Sequence, residues 1–198
     1  MEHPHETGKK VSDAKSVSKT LAILSTFDER TPMQRTSDIA ARLGMNISTV
    51  SRHLNTLLDW GFLRRDDETG CYYPGTQIIS LAGAALQDSD VYRYSFPELQ
   101  LLSFRYGVHS HMSIQDDTEI MHLISCCCEH TMDLFVPMGH RQPMYCSAMG
   151  RIMLAYMPEA KAEDILKRSN REKRTPDTKV GVDEIMQELK KERQQGIC

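Results

Sequence analysis

No apolar run in this chain approaches the roughly 20 residues that cross a bilayer, and its first residues, MEHPHETGKKVSDAK, contain no apolar stretch of signal-peptide length. No membrane partner is expected, and the expected location is the cytoplasm. Cys-x-x-Cys spacing is missing as well. The six cysteines, Cys71, Cys126, Cys127, Cys128, Cys146 and Cys198, therefore read as free thiols and not as a disulfide framework. The run Cys126-Cys127-Cys128, with His130 close behind, does not make a zinc site, because adjacent strand side chains point to opposite faces. Those cysteines read as small buried hydrophobes, and nothing calls for a metal or a cofactor.

An excess of one charge sign is lacking too. Lys and Arg total 24 against 27 Asp and Glu, a formal net charge of −3, so the chain as a whole does not advertise a polyanion-binding surface. Any nucleic-acid face has to come from local distribution. With 198 residues, 40% of them apolar, there is enough to build the cores of one or two domains.

The informative stretch is IAARLGMNISTVSRHLNTLLDWGFLRR, residues 39–65. Ahead of it, a first helix is expected from about Ala14 to Asp28, with Val17, Leu21, Leu24 and Phe27 as one buried stripe. A second helix, capped by Thr36 or Ser37, carries Ile39, Ala40 and Leu43 inward and stops at Gly44, where a left-handed backbone permits a sharp turn. Asn46 caps a third helix. Its apolar positions Ile47, Val50, Leu54, Leu57 and Leu58 share one face, and Ser48, Thr49, Ser51, Arg52, Asn55 and Thr56 are left on the other.

That outward set is short, hydroxylated and basic, as a helix lying in a major groove requires: hydroxyls reach phosphates or base edges, and Arg or Asn makes paired contacts to bases. Arg52, His53, Arg64 and Arg65 form a local basic face opposed only by Asp59. An ordinary solvated helix face is the plain alternative, and it weakens because a wing follows. Residues 61–74 read as a strand, an acidic turn with Thr69-Gly70 chemistry, and a returning strand, with Arg64 and Arg65 at the root. The fold class is thus α+β, beginning with a winged helix-turn-helix.

IAARLGMNISTVSRHLNTLLDWGFLRRD, followed by YYPGTQIISLAGAAL, resembles the N-terminal domain of the IclR family of bacterial transcription regulators. PMYCSAMGRIMLAYMPE and RTPDTKVGVDEIMQELKKERQQGIC are similar to segments of that family's effector domain, in the same order. The resemblance implies a sequence-specific DNA-binding regulator of a roughly palindromic operator in double-stranded DNA, controlled by a small organic effector, in all expectation a carboxylate. It also implies a homodimer or a dimer of dimers, paired through the first helix and the linker helix. The layout expected is a disordered leader at residues 1–13, a winged helix-turn-helix at 14–75, a linker and dimerisation helix at 76–93, and a partial GAF-like effector domain at 94–198.

Within that second domain, 88–94 reads as a polar passage and Pro97 to Tyr106 as a helix packing Leu99, Leu102 and Phe104 or Tyr106. Val108 to Ile114 and Ile120 to Cys127 form a strand pair, Asp133 to Val136 a third strand, and 137–143 a loop. A helix holding Ala148, Ile152, Met153 and Tyr156 follows, and a last one presents Val182, Ile185, Met186 and Leu189 up to Gly196. In the family, backbone N–H groups at the start of the former bind a carboxylate, as a helix N-terminus favours; the matching positions are Ser147, Ala148, Met149 and Gly150. Met149 also reads as core filler, and Arg151 stands where lysine is usual.

The family has further strands beyond Ile197-Cys198, so this reading expects an effector domain lacking its last strands and weak effector binding in this form. The sequence also admits two other classes. His109, His111, His122, His130 and His140 with the cysteines admit a nucleophile pair, but no motif orients a base or an oxyanion hole, so an enzyme is not expected. A shortened DNA-binding or protein-interaction module without effector response is the second alternative, since winged helices also bind proteins.

Overall fold

The computed structural model describes residues 15–128 and 136–196, and the chain divides at the Asp88/Ser89 step into two compact units. The leader expected at residues 1–13 lies outside the described residues, as do the strand start at Asp133, His130 and the pair Ile197-Cys198.

The first unit runs α1 (Lys15–Leu24), α2 (Thr36–Leu43), α3 (Ile47–Asp59), β1 (Leu63–Arg65), β2 (Tyr72–Pro74) and α4 (Thr76–Gln87). Its core is Ile23, Ile39, Ala40, Val50, Leu54, Leu57, Leu63 and Tyr72. Each fully buried aliphatic side chain there contributes about 1.5–3 kcal/mol.

The stripe expected for α1 is rotated. Val17 and Leu21 are 57% and 56% exposed, Leu24 and Phe27 are half-buried, and Ile23 is fully buried in their place. The helix is apolar over a wide arc, and the single bundle it joins covers only the side bearing Ile23. It is also shorter than expected: the Thr26 hydroxyl donates to the Ile23 carbonyl, and Asp28 accepts from the backbone N–H of Arg30 and Thr31, which turns the chain.

Neither Thr36 nor Ser37 caps α2. Arg35 is the N-cap, and the Asp38 carboxylate reaches back to accept from the Arg35 backbone N–H at 3.2 Å. Gly44 takes the left-handed conformation (φ 61°), and Asn46 caps α3 by accepting from the Ser48 N–H at 2.9 Å. Ile47, expected inside, is 58% exposed, because the first residue of α3 projects beyond the bundle.

β1 and β2 pair antiparallel, Arg64 opposite Tyr73, and Asp66 organises the turn by accepting from the Thr69 N–H and hydroxyl. Gln34 adds a bridge to Tyr72, joining the wing to the segment before α2.

The second unit runs α5 (Asp90–Tyr106), β3 (Ser110–Asp116), β4 (Glu119–Cys126), β5 (Arg141–Pro143), α6 (Ala148–Tyr156), α7 (Glu159–Arg168) and α8 (Val182–Gln195). The strands form one antiparallel sheet in the order β3-β4-β5. The polar passage expected at 88–94 is in fact the first turns of α5, capped by the Ser89 hydroxyl. Pro97 lies inside the helix without ending it, since it sits on the exposed side, where a carbonyl without an amide partner can meet water.

Leu102, Phe104 and Tyr106 do not pack: they are 42%, 83% and 65% exposed, and the buried side of α5 is polar. There the Ser103 hydroxyl meets that of Ser110 at 2.7 Å and donates to the Cys126 carbonyl. Residues 141–143, expected in a loop, form β5, and α7 was not anticipated. Its pattern, EAKAEDILKR, is mostly charged, yet Ala162, Ile165 and Leu166 reach the core.

The α6–α8 side of the sheet holds that core: Ile120, Met144, Tyr145, Leu154, Ala155, Ala162, Ile165, Leu166, Ile185 and Leu189. In α6 the inward residues are Gly150, Leu154 and Ala155, whereas Ala148 and Tyr156 face out.

Candidate nucleic-acid interface and ligand site

On the helical period of α3, Ser48, Arg52 and Asn55 fall opposite the buried Val50, Leu54 and Leu57, and all three are exposed. Thr49 and Ser51 flank them, half-buried. Asp59 shares the outward face one turn after Asn55, so the electropositive part is confined to the first turns, the part of a recognition helix that reaches base edges.

Not every expected residue joins this face. His53 is buried, 5% exposed, with its Nδ1 2.8 Å from the Thr20 hydroxyl of α1. Burial first, then Arg52 and Lys19, hold its pKa below the usual imidazole value, so it adds no charge to the face. Thr56 returns its hydroxyl to the Arg52 carbonyl and lines an apolar groove with Val17, Leu21, Trp60 and Phe62. The Ser48 hydroxyl is engaged by Asn46 at 2.7 Å.

Arg64 and Arg65 are exposed on the wing, each guanidinium lying over a tyrosine ring: Arg64 on Tyr73 at 4.7 Å and Arg65 on Tyr72 at 5.6 Å. Stacking fixes the two charges on a rigid hairpin. Thr36 and Ser37 open α2, where unpaired helix N–H groups favour a phosphate.

In the second unit, Ser147 caps α6: its hydroxyl accepts from the Gly150 N–H at 3.2 Å and donates to the Pro143 carbonyl at 2.9 Å. That accounts for one amide of the first turn; those of Ala148 and Met149 lie ahead of the helix with no intrahelical acceptor. Gly150 is needed for close packing, since a Cβ there would stand 2.4 Å from the Met144 Cα. Met149 is half-buried, and its sulfur accepts from the Ser113 hydroxyl of β3 at 3.4 Å.

The description "Bacterial transcriptional regulator IclR C-terminal" matches residues 83–198, and "IclR helix-turn-helix domain" matches residues 16–67. The chain belongs to the IclR family of bacterial transcriptional regulators. The HTH-type transcriptional regulator XynR of Escherichia coli (strain K12) is 26% identical over 183 residues, which span 92% of this chain and 73% of XynR. KdgR of Dickeya chrysanthemi is 25% identical over 188 residues; they cover 95% of this chain and 61% of KdgR, so the chain spans about three fifths of that relative.

Among solved structures, the IclR regulator of Alicyclobacillus acidocaldarius is 25% identical with a TM-score of 0.79, over 93% of this chain and 74% of that one. An IclR homolog of Microbacterium hydrocarbonoxydans, complexed with 4-hydroxybenzoate, shares the fold at 22% identity and a TM-score of 0.75, over 91% of this chain and 75% of that one. The α+β architecture, with an N-terminal helix-turn-helix and a C-terminal IclR effector domain, is that of the family. IclR proteins are transcriptional regulators, not enzymes. Among the described residues no helix is long and apolar enough to cross a membrane, and no three of the His, Cys, Asp and Glu side chains converge as a metal site.

What the residues of this IclR chain concealed is a cluster of imidazoles on the sheet. His122 pairs with Ser113 across β4 and β3, His111 pairs with Ser125, and the His122 ring lies 6.1 Å from that of His111 and 5.5 Å from that of His140. Alternation along β3 hinted at it, but a bulge at Leu123, which has no partner between Met112 and Ser113, disguised the shared face of His122 and Ser125.

Burial is the largest influence on His53, His111 and His122, and it lowers each pKa from 6.5. The unfolded chain therefore binds protons that the native state refuses. Their contribution to stability is present above the unfolded value of 6.5 and is lost as pH falls through the lower folded values. Urea unfolding midpoints measured at about pH 7.5 and about pH 5 are expected to be lower at the acidic value; equal midpoints would contradict it.

Proposed function

We propose that this regulator reads its operator with the first turns of α3, where Arg52, flanked by Ser48 and Asn55, contacts base edges, and clamps the backbone with Thr36, Ser37, Arg64 and Arg65. The observation that carries this is the placement of Arg52 at the centre of the one exposed polar face of α3, two stacked arginines standing on the wing. Thr49 and Ser51 border that face and reach phosphates. Thr56 belongs to the groove beside α1 instead.

We further infer that two copies pair through α1 and α4, presenting two heads to a roughly palindromic operator in double-stranded DNA. Val17, Leu21, Trp60, Ile79 and Leu81 support this, being 51–72% exposed although large and apolar. The site of action is the cytoplasm. Occupancy is controlled by a small organic acid held by the amides of Ala148 and Met149 within the Ser147–Gly150 turn. The 4-hydroxybenzoate in the similarly folded Microbacterium protein is one such acid.

Arg52→Ala is expected to weaken binding to a selected operator by about 1–3 kcal/mol and to relax discrimination at one base position. Arg64→Ala and Arg65→Ala should weaken all sequences evenly and reduce the salt slope. Operators selected from random DNA, followed by titration at several salt concentrations, make the measurement. Unchanged binding in all three variants would turn the interpretation toward a protein-binding winged helix.

A further inference from the structure

We propose that Cys128, paired with the imidazole of His109, is a thiol that hydroperoxides oxidise, and that the adjacent Cys127 closes on it in a reversible disulfide. Neither the reading of DNA nor the α6 turn enters this.

The run Cys126-Cys127-Cys128 reads from the sequence as three small buried hydrophobes, and only the first is one. Cys126, last in β4, is 8% exposed, and burial, the largest influence, holds its thiol above the ordinary cysteine value. Cys127 and Cys128 follow the strand and are half-buried, so small molecules in solution reach them.

The pairing of β3 with β4 assembles the site. Ser110, first in β3, lies opposite Cys126. His109 and Cys128 therefore stand just outside the same end of the ladder, and there the Cys128 Sγ lies 3.7 Å from His109 Nε2. With its proton on Nδ1, a neutral imidazole accepts from the thiol. Sulfur is nucleophilic as the thiolate, and a base within hydrogen-bond reach supplies that form as the sulfur attacks. Other half-buried thiols lack such a base. The Cys146 thiol faces the Pro143 carbonyl at 4.0 Å, and that of Cys71 has no hydrogen-bond partner among the described residues.

The chemistry balances with a hydroperoxide as the oxidant. The Cys128 sulfur attacks the terminal oxygen, and an S–O bond forms as the O–O bond breaks. The thiol proton, taken by His109, passes to the departing oxygen to give an alcohol, or water from hydrogen peroxide. Sulfur loses two electrons and becomes a sulfenic acid. The Cys127 thiol then attacks that sulfur: an S–S bond forms, the S–O bond breaks, and the leaving hydroxide takes the Cys127 proton as water. Consecutive Cα atoms stand about 3.8 Å apart, closer than the roughly 4.4–6.8 Å usual for disulfides. The bond is therefore strained, and a dithiol returns it readily to thiols.

The test treats the reduced full chain with hydrogen peroxide and follows each cysteine by peptide and fragment mass. Cys128 should be consumed about tenfold or more faster than Cys71 and Cys146. The peptide carrying Cys127 and Cys128 should lose two hydrogens, which dithiothreitol restores. In Cys127→Ser the sulfenic acid should persist and be trapped at Cys128 by dimedone. His109→Gln should bring the Cys128 rate down to that of Cys71. Cys128 reacting no faster than Cys71 in the unmodified protein would overturn the proposal, whatever the folding of any variant. A Cys128 rate that survives His109→Gln would overturn the pairing with His109. Dimedone labelling as strong in the parent as in Cys127→Ser would overturn closure by Cys127.

Discussion

Gly75→Ala is expected to destabilise the first unit by about 3 kcal/mol or more and to remove DNA binding with it. Gly75 is buried between the wing and α4. A Cβ on it would stand 2.2 Å from the Gly61 carbonyl oxygen and 3.0 Å from the carbonyl carbons of Gly61 and Phe62. All three atoms are backbone, so no side chain can swing aside. The approach is fixed by two hydrogen bonds, from the Gly75 N–H to the Phe62 carbonyl at 2.8 Å and from the Gln77 N–H to the Gly61 carbonyl at 3.2 Å.

Alanine must therefore part the root of the wing from the start of α4. Arg64 and Arg65 lose their placement relative to α3 as a result. Thermal unfolding and operator titration report the two effects. Gly83→Ala is the control: a Cβ there meets nothing within 4 Å, so that helix-interior change should be neutral or slightly stabilising. A Gly75→Ala protein as stable as the Gly83→Ala protein would show the contact to be relaxable.

Arg151→Ala should destabilise the second unit by about 3–5 kcal/mol. Its side chain is 15% exposed and forks from α6 to α8, where it donates to Glu188 at 2.9 Å and to Glu192, and it also donates to the Tyr145 carbonyl at 3.3 Å. Burial opposes its charge, but the hydrogen bonds and charges of Glu192 and Glu188 outweigh burial and raise its pKa. Removing the guanidinium takes from Glu192, itself only 16% exposed, its hydrogen bonds to Arg151, whereas Glu188, at 35%, retains access to water and matters less.

Lysine cannot replace it fully. An ammonium is a point charge without a planar fork, so Arg151→Lys should recover part of the loss and still leave α6 less firmly tied to α8. Denaturant unfolding of the three proteins decides it. An alanine variant within about 1 kcal/mol of the parent would mean that the ion network adds little.

The DNA-reading unit was legible where one residue carries one local instruction. Gly44 must be left-handed, Asn46 must cap, and Asp66 to Gly70 must turn, and each does so. Errors arose where tertiary surroundings chose among equivalent options. α1 offers apolar residues on two sides and buries the one with Ile23, while His53, basic by type, is made neutral and structural by its place under α1.

The second unit was harder to read for the same reason. Ser103 packs where Phe104 was expected, because serines of α5 and β3 bond to one another across the interface. Residues 141–143 pair with β4 although nothing in Arg-Gln-Pro favours a strand, and Pro143, last in β5, tolerates this as an edge residue. In the candidate ligand site, the α6 turn was legible only through the resemblance of PMYCSAMGRIMLAYMPE to the family's effector domain. The imidazoles were not, since bringing His122 and His140 together depends on strand pairing between distant segments.

The bulge at Leu123 separates two kinds of inheritance in β4. Before it, Ile120 is constrained by everything stacked over it, and a change there is answerable to the folding of the whole unit. Beyond it, the reset alternation brings Ser125 back to the face that Ile120 and His122, both ahead of the bulge, already share, so the bulge decides which side of the sheet the end of the strand presents. A descendant whose β4 ran straight through Leu123 would turn Ser125 to the opposite face while leaving Ile120 and His122 where they are.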